Sequence, residues 1–112
     1  MIAKATLPDL FANMTGTEKL WAVSLEARKR RGEIHEWMYE RVTLKLGDDL
    51  RYTPDFFVIL PDGLIEIYET KGAFIREDAR VKLRAAAEMF PFRFVLAQYK
   101  AKVWTAWEIK RA

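Results

Sequence analysis

The chain has 112 residues, a formal net charge of +3 at pH 7, one histidine, His35, and no cysteine. This length suits one domain with an ordinary hydrophobic core, covering residues 1–112, and leaves no room for a second domain. The composition excludes disulfides, thiolate or histidine-rich metal sites and a cysteine nucleophile, so a metal here would be a hard cation on oxygen ligands.

The sequence predicts a cytoplasmic protein that does not enter a membrane. The amino-terminal stretch MIAKATLPDLF lacks a basic region followed by a long apolar core. No stretch approaches the roughly 18 apolar residues of a membrane span. Basic residues concentrate in two groups, which favours binding to a polyanion such as nucleic acid. These groups are Arg28, Lys29, Arg30 and Arg31, and Arg76, Arg80, Lys82 and Arg84.

The first predicted element is a helix over residues 15–31. Thr15 followed three residues later by Glu18 is typical of a capping box, and apolar residues then recur at helical spacing until Gly32. Residues 36–46 change to an alternating pattern, interrupted by Glu40, which predicts a strand with one solvated face near a sheet edge.

Two central strands are predicted next, over residues 51–60 and 64–70, because both stretches are largely apolar on both faces. Between them, Pro61 suits the first corner of a type I turn and Gly63 suits a left-handed position. The pair is therefore predicted to be a hairpin with a three-residue loop.

A second helix is predicted over residues 76–90 and ends before Pro91, and strands follow at 92–98 and 103–109. The order is helix, three strands, helix, two strands. This pattern predicts an α+β domain with a mixed sheet of four to five strands flanked by helices, in which the second helix returns the chain parallel to an inner strand.

The hairpin register brings charged residues together. A loop centred on Asp62 places Asp55 opposite Glu69 and Thr53 opposite Lys71. Directly opposed residues have Cβ atoms about 5 Å apart, so the two acids are close enough to share one cation. One alternative is a salt bridge between Lys71 and one acid with the other acid solvated. A second carboxylate, however, destabilises such a pair unless a metal is bound.

At these residues the chain resembles the PD-(D/E)XK nuclease superfamily, through Pro54-Asp55 and Glu69-Thr70-Lys71 on adjoining strands. The resemblance covers roughly residues 15 to 98, because helix, three strands, helix and strand is the order of the superfamily's restriction-endonuclease-like core. The sequence is most similar to small phage and prophage nucleases, including those grouped with Holliday junction resolvases.

Other copies of the two motifs fit this context less well. Pro-Asp also occurs at Pro8-Asp9, before the first helix, and at Pro61-Asp62, in a turn. Glu-x-Lys also begins at Glu108, near the end of the chain, without a Pro-Asp strand shortly before it.

The resemblance implies a metal-dependent endonuclease that hydrolyses DNA phosphodiester bonds. Asp55, Glu69 and the backbone carbonyl of Thr70 would bind Mg²⁺ or Mn²⁺, and Lys71 would orient or help to deprotonate the attacking water. Many members add an acid from the first helix, where Glu18 lies. Glu18 is also the capping-box partner, and Glu40 is a weaker candidate that can instead reach solvent.

DNA contact is expected from the second helix, where cations recur every fourth residue. The expected DNA-binding residues are Arg76, Arg80, Arg84 and Lys82. A homodimer acting on branched DNA or Holliday junctions is the narrower hypothesis. A non-catalytic nucleic-acid-binding module on the same fold and a basic protein-interaction domain are the alternatives.

Overall fold

The computed structural model describes residues 9–111, which form two α-helices and seven β-strands. In chain order these are α1 (Gly16–Arg30), β1 (Glu36–Tyr39), β2 (Leu44–Lys45), β3 (Arg51–Tyr52), β4 (Phe56–Ile59), β5 (Ile65–Lys71), α2 (Glu77–Met89), β6 (Arg93–Lys100) and β7 (Val103–Ile109).

Five strands form one mixed sheet in the order β1-β4-β5-β6-β7. Neighbours are antiparallel except β5 and β6, which are parallel because α2 carries the chain back across the sheet. The predicted α+β class, the mixed sheet, the parallel return and the edge position of the first strand are confirmed. The strands β2 and β3 pair separately, as a two-stranded antiparallel sheet.

The first helix begins with the predicted capping box. The Thr15 hydroxyl accepts the Glu18 N–H at 3.2 Å, and Glu18 Oε1 accepts the Thr15 N–H at 2.8 Å. Three basic residues lie in the last turn, where they complement the helix dipole. The predicted helix over 15–31 is confirmed to within one residue at each end.

The hairpin of β4 and β5 has the predicted turn and register. The Gly63 N–H donates to the Leu60 carbonyl at 2.9 Å, and Gly63 has φ 89°, a left-handed conformation that glycine adopts without strain. Phe56 lies opposite Tyr68, and the paired residues continue to Ile59 opposite Ile65. The register that the candidate site requires is therefore present.

Two predicted strands are each broken in the middle. The strand predicted over 36–46 ends at Tyr39, because Glu40 has φ 46° and turns the chain out of the sheet. The strand predicted over 51–60 is interrupted between β3 and β4, where Pro54 has no N–H to pair. The predicted pairing of Thr53 with Lys71 does not form. The Thr53 hydroxyl contacts the Thr43 hydroxyl at 2.7 Å instead.

The sheet has a hydrophobic cluster on each face. One cluster joins α1 to β1, β4, β5 and β6 through Met14, Ala22, Leu25, Ile34, Trp37, Phe56, Val58, Tyr68 and Val95. The other joins α2 and the β2–β3 hairpin to the opposite face through Leu44, Tyr52, Ile67, Leu83, Ala86, Ala87, Phe94 and Leu96. The period of two along β5 and β6 thus sends alternate side chains to the two helices.

Within residues 9–111, neither helix has both the length and the apolar character needed to cross a bilayer. Residues 1–8, to which most of the stretch MIAKATLPDLF belongs, lie outside the described part of the chain, as does residue 112.

Candidate metal centre

Four carboxylates and one lysine meet where the β4–β5 hairpin opens. Asp55 directly precedes β4, Glu69 and Lys71 lie on β5, Glu18 lies in the first turn of α1, and Glu40 follows β1. Strand pairing brings Glu40, Asp55, Glu69 and Lys71 together, because β4 is hydrogen-bonded to both β1 and β5.

Asp55 is the central acid and is 8 % exposed. Its Oδ2 accepts the Thr70 N–H at 2.8 Å and the Thr70 hydroxyl at 3.0 Å. The Asp55 carbonyl accepts the Glu40 N–H at 2.9 Å, so the backbone remains tied to the β1 side after regular pairing has ended. Because Oδ2 is held by Thr70, the second oxygen, Oδ1, is left for another partner.

Glu69 is 7 % exposed and contacts Asp55 through the backbone. Its Oε1 accepts the Asp55 N–H at 3.3 Å and the Tyr52 hydroxyl at 2.8 Å, and its Oε2 lies 3.1 Å from Lys71 Nζ. The predicted convergence of Asp55, Glu69 and Lys71 is therefore present. Tyr52 fixes the orientation of Glu69 from the opposite side.

Glu18 and Glu40 extend the acidic group toward solvent. One ligand oxygen from each of Glu18, Glu40 and Asp55 lies within 4.8 Å of the other two. Glu18 Oε1 also accepts the Tyr39 hydroxyl at 2.9 Å, in addition to its cap bond. The two oxygens of a carboxylate can each accept more than one hydrogen bond, so the bonds at Oε1 leave Glu18 able to serve the acidic group as well.

The charges in this group shift the pKa of Asp55. Burial raises that pKa, the charge of Glu69 raises it further, and the Thr70 hydrogen bonds only partly oppose the change, so that it reaches about 7. Burial by itself would lower the pKa of Lys71, but the charge and hydrogen bond of Glu69 outweigh it and the pKa is raised. Lys71 is therefore an ammonium group in the metal-free protein.

A buried acid elsewhere on β5 provides a contrast. Glu66 is 7 % exposed, but its two oxygens accept the Tyr68 hydroxyl at 2.8 Å and Arg93 Nη1 at 2.7 Å. That is a complete structural ion pair. At the other end of the strand, Lys71 is the single cation that forms an ion pair with any of the four acids among residues 9–111. The acids therefore carry an uncompensated negative charge.

The donor set suits a hard divalent cation. Carboxylate oxygens are the ligands that Mg²⁺ and Mn²⁺ prefer, and a bound cation would favour the ionised form of Asp55 against the effects of burial and of the charge of Glu69. Asp55 with Glu18 and Glu40 offers the tightest set of oxygens, and Glu69 adjoins it through the Asp55 backbone. The Thr70 carbonyl was predicted to be a metal ligand. The contacts that Thr70 makes with Asp55 use its N–H and its hydroxyl instead, so the carbonyl ligand stays a prediction.

The basic residues of the second helix are on the surface. Arg76, at the amino-terminal cap of α2, forms an ion pair with Asp78 at 3.3 Å. Arg80 and Arg84 are exposed one turn apart. Lys82 is exposed too, but at about 100° per residue it lies about 200° around the helix from both arginines. Of the four expected DNA-binding residues, Lys82 therefore lies on a different side of α2 from the ridge of arginines.

The other basic group is engaged locally. Each of its four cations forms an ion pair with a nearby acid, and the pairs are Arg28–Glu33, Lys29–Glu36, Arg30–Glu26 and Arg31–Glu33. These pairs support a structural role for the end of α1.

Sequence reasoning missed the two tyrosines of the site. Tyr39 and Tyr52 each donate a hydroxyl to a carboxylate, and burial together with the adjacent acids raises the pKa of both phenols. No local pattern marks them, because each stands in a strand where an aromatic residue is expected for packing alone. Glu40 could be recognised in the sequence as a charge within an apolar strand face. Its approach to Glu18, however, depends on the left-handed backbone at Glu40 itself, which the sequence pattern does not predict.

Comparisons with known proteins leave the family open. No protein-family model matches the sequence, and no curated protein matches it. A solved structure titled "Crystal structure of SSO0001" is similar at 12 % identity and a TM-score of 0.45, covering 83 % of this chain and 50 % of that chain. The chain spans about half the length of that protein, and a likeness this weak assigns neither fold family nor function.

Proposed function

We propose that this protein is a metal-dependent endonuclease that hydrolyses DNA phosphodiester bonds, on a restriction-endonuclease-like core of the PD-(D/E)XK type. The observation that carries the proposal is the buried Asp55, whose pKa is raised to about 7 beside Glu69, where Lys71 is the one cation of residues 9–111 that forms an ion pair with the acidic group. A protein that needed only an ion pair would gain nothing from the further acids.

The residues have separable roles in this proposal. Asp55, Glu69, Glu18 and Glu40 would hold Mg²⁺ or Mn²⁺, and Thr70 and Tyr52 would fix the orientation of the first two acids through the hydrogen bonds described above. The cation supplies Lewis acidity and charge neutralisation at the phosphate. In the reaction, water adds to phosphorus, one bridging P–O bond breaks, and the leaving oxygen gains a proton.

Lys71 is best suited to positioning and charge stabilisation. Its side chain is 30 % exposed, compared with 9 % for that of Glu69, and its Nζ lies 3.1 Å from Glu69 Oε2. Because its pKa is raised, the amine keeps its proton at neutral pH and can donate hydrogen bonds to the phosphate or the attacking water. Of the two roles implied by the resemblance, orienting water fits this protonation state better than removing a proton from it.

DNA would lie across the site and α2, which begins six residues after Lys71. The exposed Arg80 and Arg84 lie one turn apart, and cations on such a ridge can contact successive phosphates. Branched DNA or a Holliday junction as substrate, and a homodimer as the active form, remain part of the proposal.

The test is strand cleavage of supercoiled plasmid, linear duplex, single strands and a four-way junction in Mg²⁺, Mn²⁺ or EDTA. The chain supplies matched controls, because it contains second copies of both motifs. Asp55→Asn is paired with Asp62→Asn, and Lys71→Met with Lys110→Met. Asp62 lies in the exposed β4–β5 turn, and Lys110 follows β7.

The proposal expects cleavage that requires the metal, is lost in Asp55→Asn and Lys71→Met, and persists in both controls. Binding to DNA without cleavage in either metal would favour the non-catalytic binding module. Cleavage that survives Asp55→Asn, or persists in EDTA, would assign the activity to something other than this site.

A further inference from the structure

Phe74 is the most exposed large apolar side chain among residues 9–111, at 81 %. A single exposed apolar residue is ordinary on a protein surface, so exposure alone means little. Phe74 is notable because it lies close in sequence to the candidate metal centre and to the basic residue at the N-cap of α2. It follows Lys71 by three residues and precedes Arg76 by two, in the segment that joins β5 to α2.

The segment that carries Phe74 is fixed to the sheet on one side. Gln98 Nε2 donates to the carbonyls of Gly72 and Ala73, both at 3.1 Å. Gln98 itself lies on β6, where it pairs with Lys71 in the parallel ladder. The backbone immediately before Phe74 is therefore anchored at the same end of the sheet as the candidate metal centre, while the ring projects toward solvent.

The chain geometry limits how far the ring can lie from the chemistry. Three residues span at most about 11 Å between Cα atoms, even when fully extended. The same length is about three base steps of duplex DNA at 3.4 Å per step along one strand. A base contacted by Phe74 would thus be within a few nucleotides of a phosphate at Lys71.

Two further cations lie at this end of the sheet. The β6–β7 turn carries Lys100 and Lys102, both exposed, on either side of Ala101. Because β6 runs parallel to β5 and continues past Gln98, this turn lies at the end of the sheet that holds Lys71. An exposed aromatic ring between cations is the combination with which proteins bind single-stranded nucleic acid.

Building on the proposed nuclease function, we propose that Phe74 stacks on an unpaired base next to the scissile phosphate, and that the site therefore takes DNA with unpaired bases, at a flap or branch. In an intact duplex the faces of the bases are covered by their neighbours. A surface ring reaches such a face only where a base has left the stack.

The experiment measures binding in EDTA, so that it does not depend on cleavage. One probe is a blunt duplex, and the other is the same duplex with a short single-stranded flap that carries 2-aminopurine. The variants are Phe74→Ala, Phe74→Trp, which keeps a stacking ring, and Leu64→Ala. Leu64 is the matched control, because it is 64 % exposed and lies at the opposite end of β5.

Phe74→Ala should weaken flap binding by about 5- to 150-fold, the range for losing one aromatic–base stack, and leave blunt-duplex binding unchanged. Phe74→Trp should restore flap binding and the quenching of 2-aminopurine, and Leu64→Ala should change neither. Equal loss on both probes, unchanged flap binding, or an altered oligomeric state without altered flap preference would overturn the proposal.

The two proposals fail in different ways. Metal-dependent cleavage together with flap binding that ignores Phe74 would refute the stacking role alone. Flap binding that depends on Phe74 without cleavage in any metal would refute the nuclease function alone. No binding of the wild-type protein to either probe at low salt would refute both.

Discussion

The pKa of Asp55, raised by burial and by the charge of Glu69, predicts that the contribution of this residue to the stability of the metal-free protein falls as the pH rises. The pKa of this carboxyl is 3.8 when it is unperturbed and about 7 in the fold, so the folded protein binds the proton more tightly than the unfolded chain does. The resulting stabilisation is fully present below about pH 4 and is lost as the pH rises through about 7. At about 1.4 kcal/mol for each tenfold change in proton affinity, the total loss is about 4 kcal/mol.

Asp55→Asn is the perturbation that isolates this contribution. Asparagine keeps an oxygen that can accept the two Thr70 hydrogen bonds, but it cannot ionise. The free energy of unfolding should match that of the wild type near pH 4. In EDTA above about pH 8, the variant should be the more stable protein by up to about 4 kcal/mol.

The assay is urea denaturation in EDTA at a series of pH values for wild type, Asp55→Asn and the control Asp62→Asn. Asp62 is exposed in a turn, so the control should follow the pH dependence of the wild type. Mg²⁺ should then stabilise the wild type and leave Asp55→Asn unaffected, because binding to the folded state alone stabilises it. A wild type that gains stability over Asp55→Asn as the pH rises would show that Asp55 is a satisfied structural carboxylate and would refute the reasoning.

Three further predictions separate the roles of residues within and around the site. Lys71→Met should lose cleavage but retain Mn²⁺ binding, because the substitution removes a positive charge from the surroundings of the cation. Loss of both cleavage and Mn²⁺ binding would make Lys71 a structural residue. Tyr52→Phe should weaken metal affinity by about 10- to 100-fold, measured by titration, because Glu69 loses the hydroxyl that orients it, and an unchanged affinity would contradict that role. Arg80→Ala with Arg84→Ala should lower the slope of log K against log salt by about 2 for duplex DNA, whereas Lys82→Ala, on the other side of α2, should leave it unchanged.

Local patterns were sufficient for the helices and for the central hairpin. The capping box at Thr15 and the glycine at position 63 specify conformations over a few residues, and the hairpin register follows directly from the turn. That register was enough to predict that Asp55 and Glu69 would meet, because both lie within one residue of the paired region.

The breaks at Glu40 and Pro54 were harder to predict, because the strand pattern resumes after each of them, although Glu40 interrupts an apolar face and Pro54 lacks an N–H. An alternating pattern does not reveal a single residue with left-handed backbone, such as Glu40. The two halves of each broken strand also both bury apolar side chains, so the pattern is typical of a strand on either side of the break. The contacts of Tyr52 with Glu69 and of Glu40 with Glu18 depend on where the β2–β3 hairpin and α1 pack on the sheet. These contacts join residues that are far apart in the sequence, so no local pattern predicts which residue will meet which.

The central claim, that these acids form one metal site, is tested most directly by titrating Mn²⁺ into the protein and following the free ion by electron paramagnetic resonance. The structure predicts saturable binding in the wild type and in Asp62→Asn, with strong weakening in Asp55→Asn, the acid that contacts the rest of the group. Equal binding by wild type and Asp55→Asn would contradict the account, as would no saturable binding by the wild type.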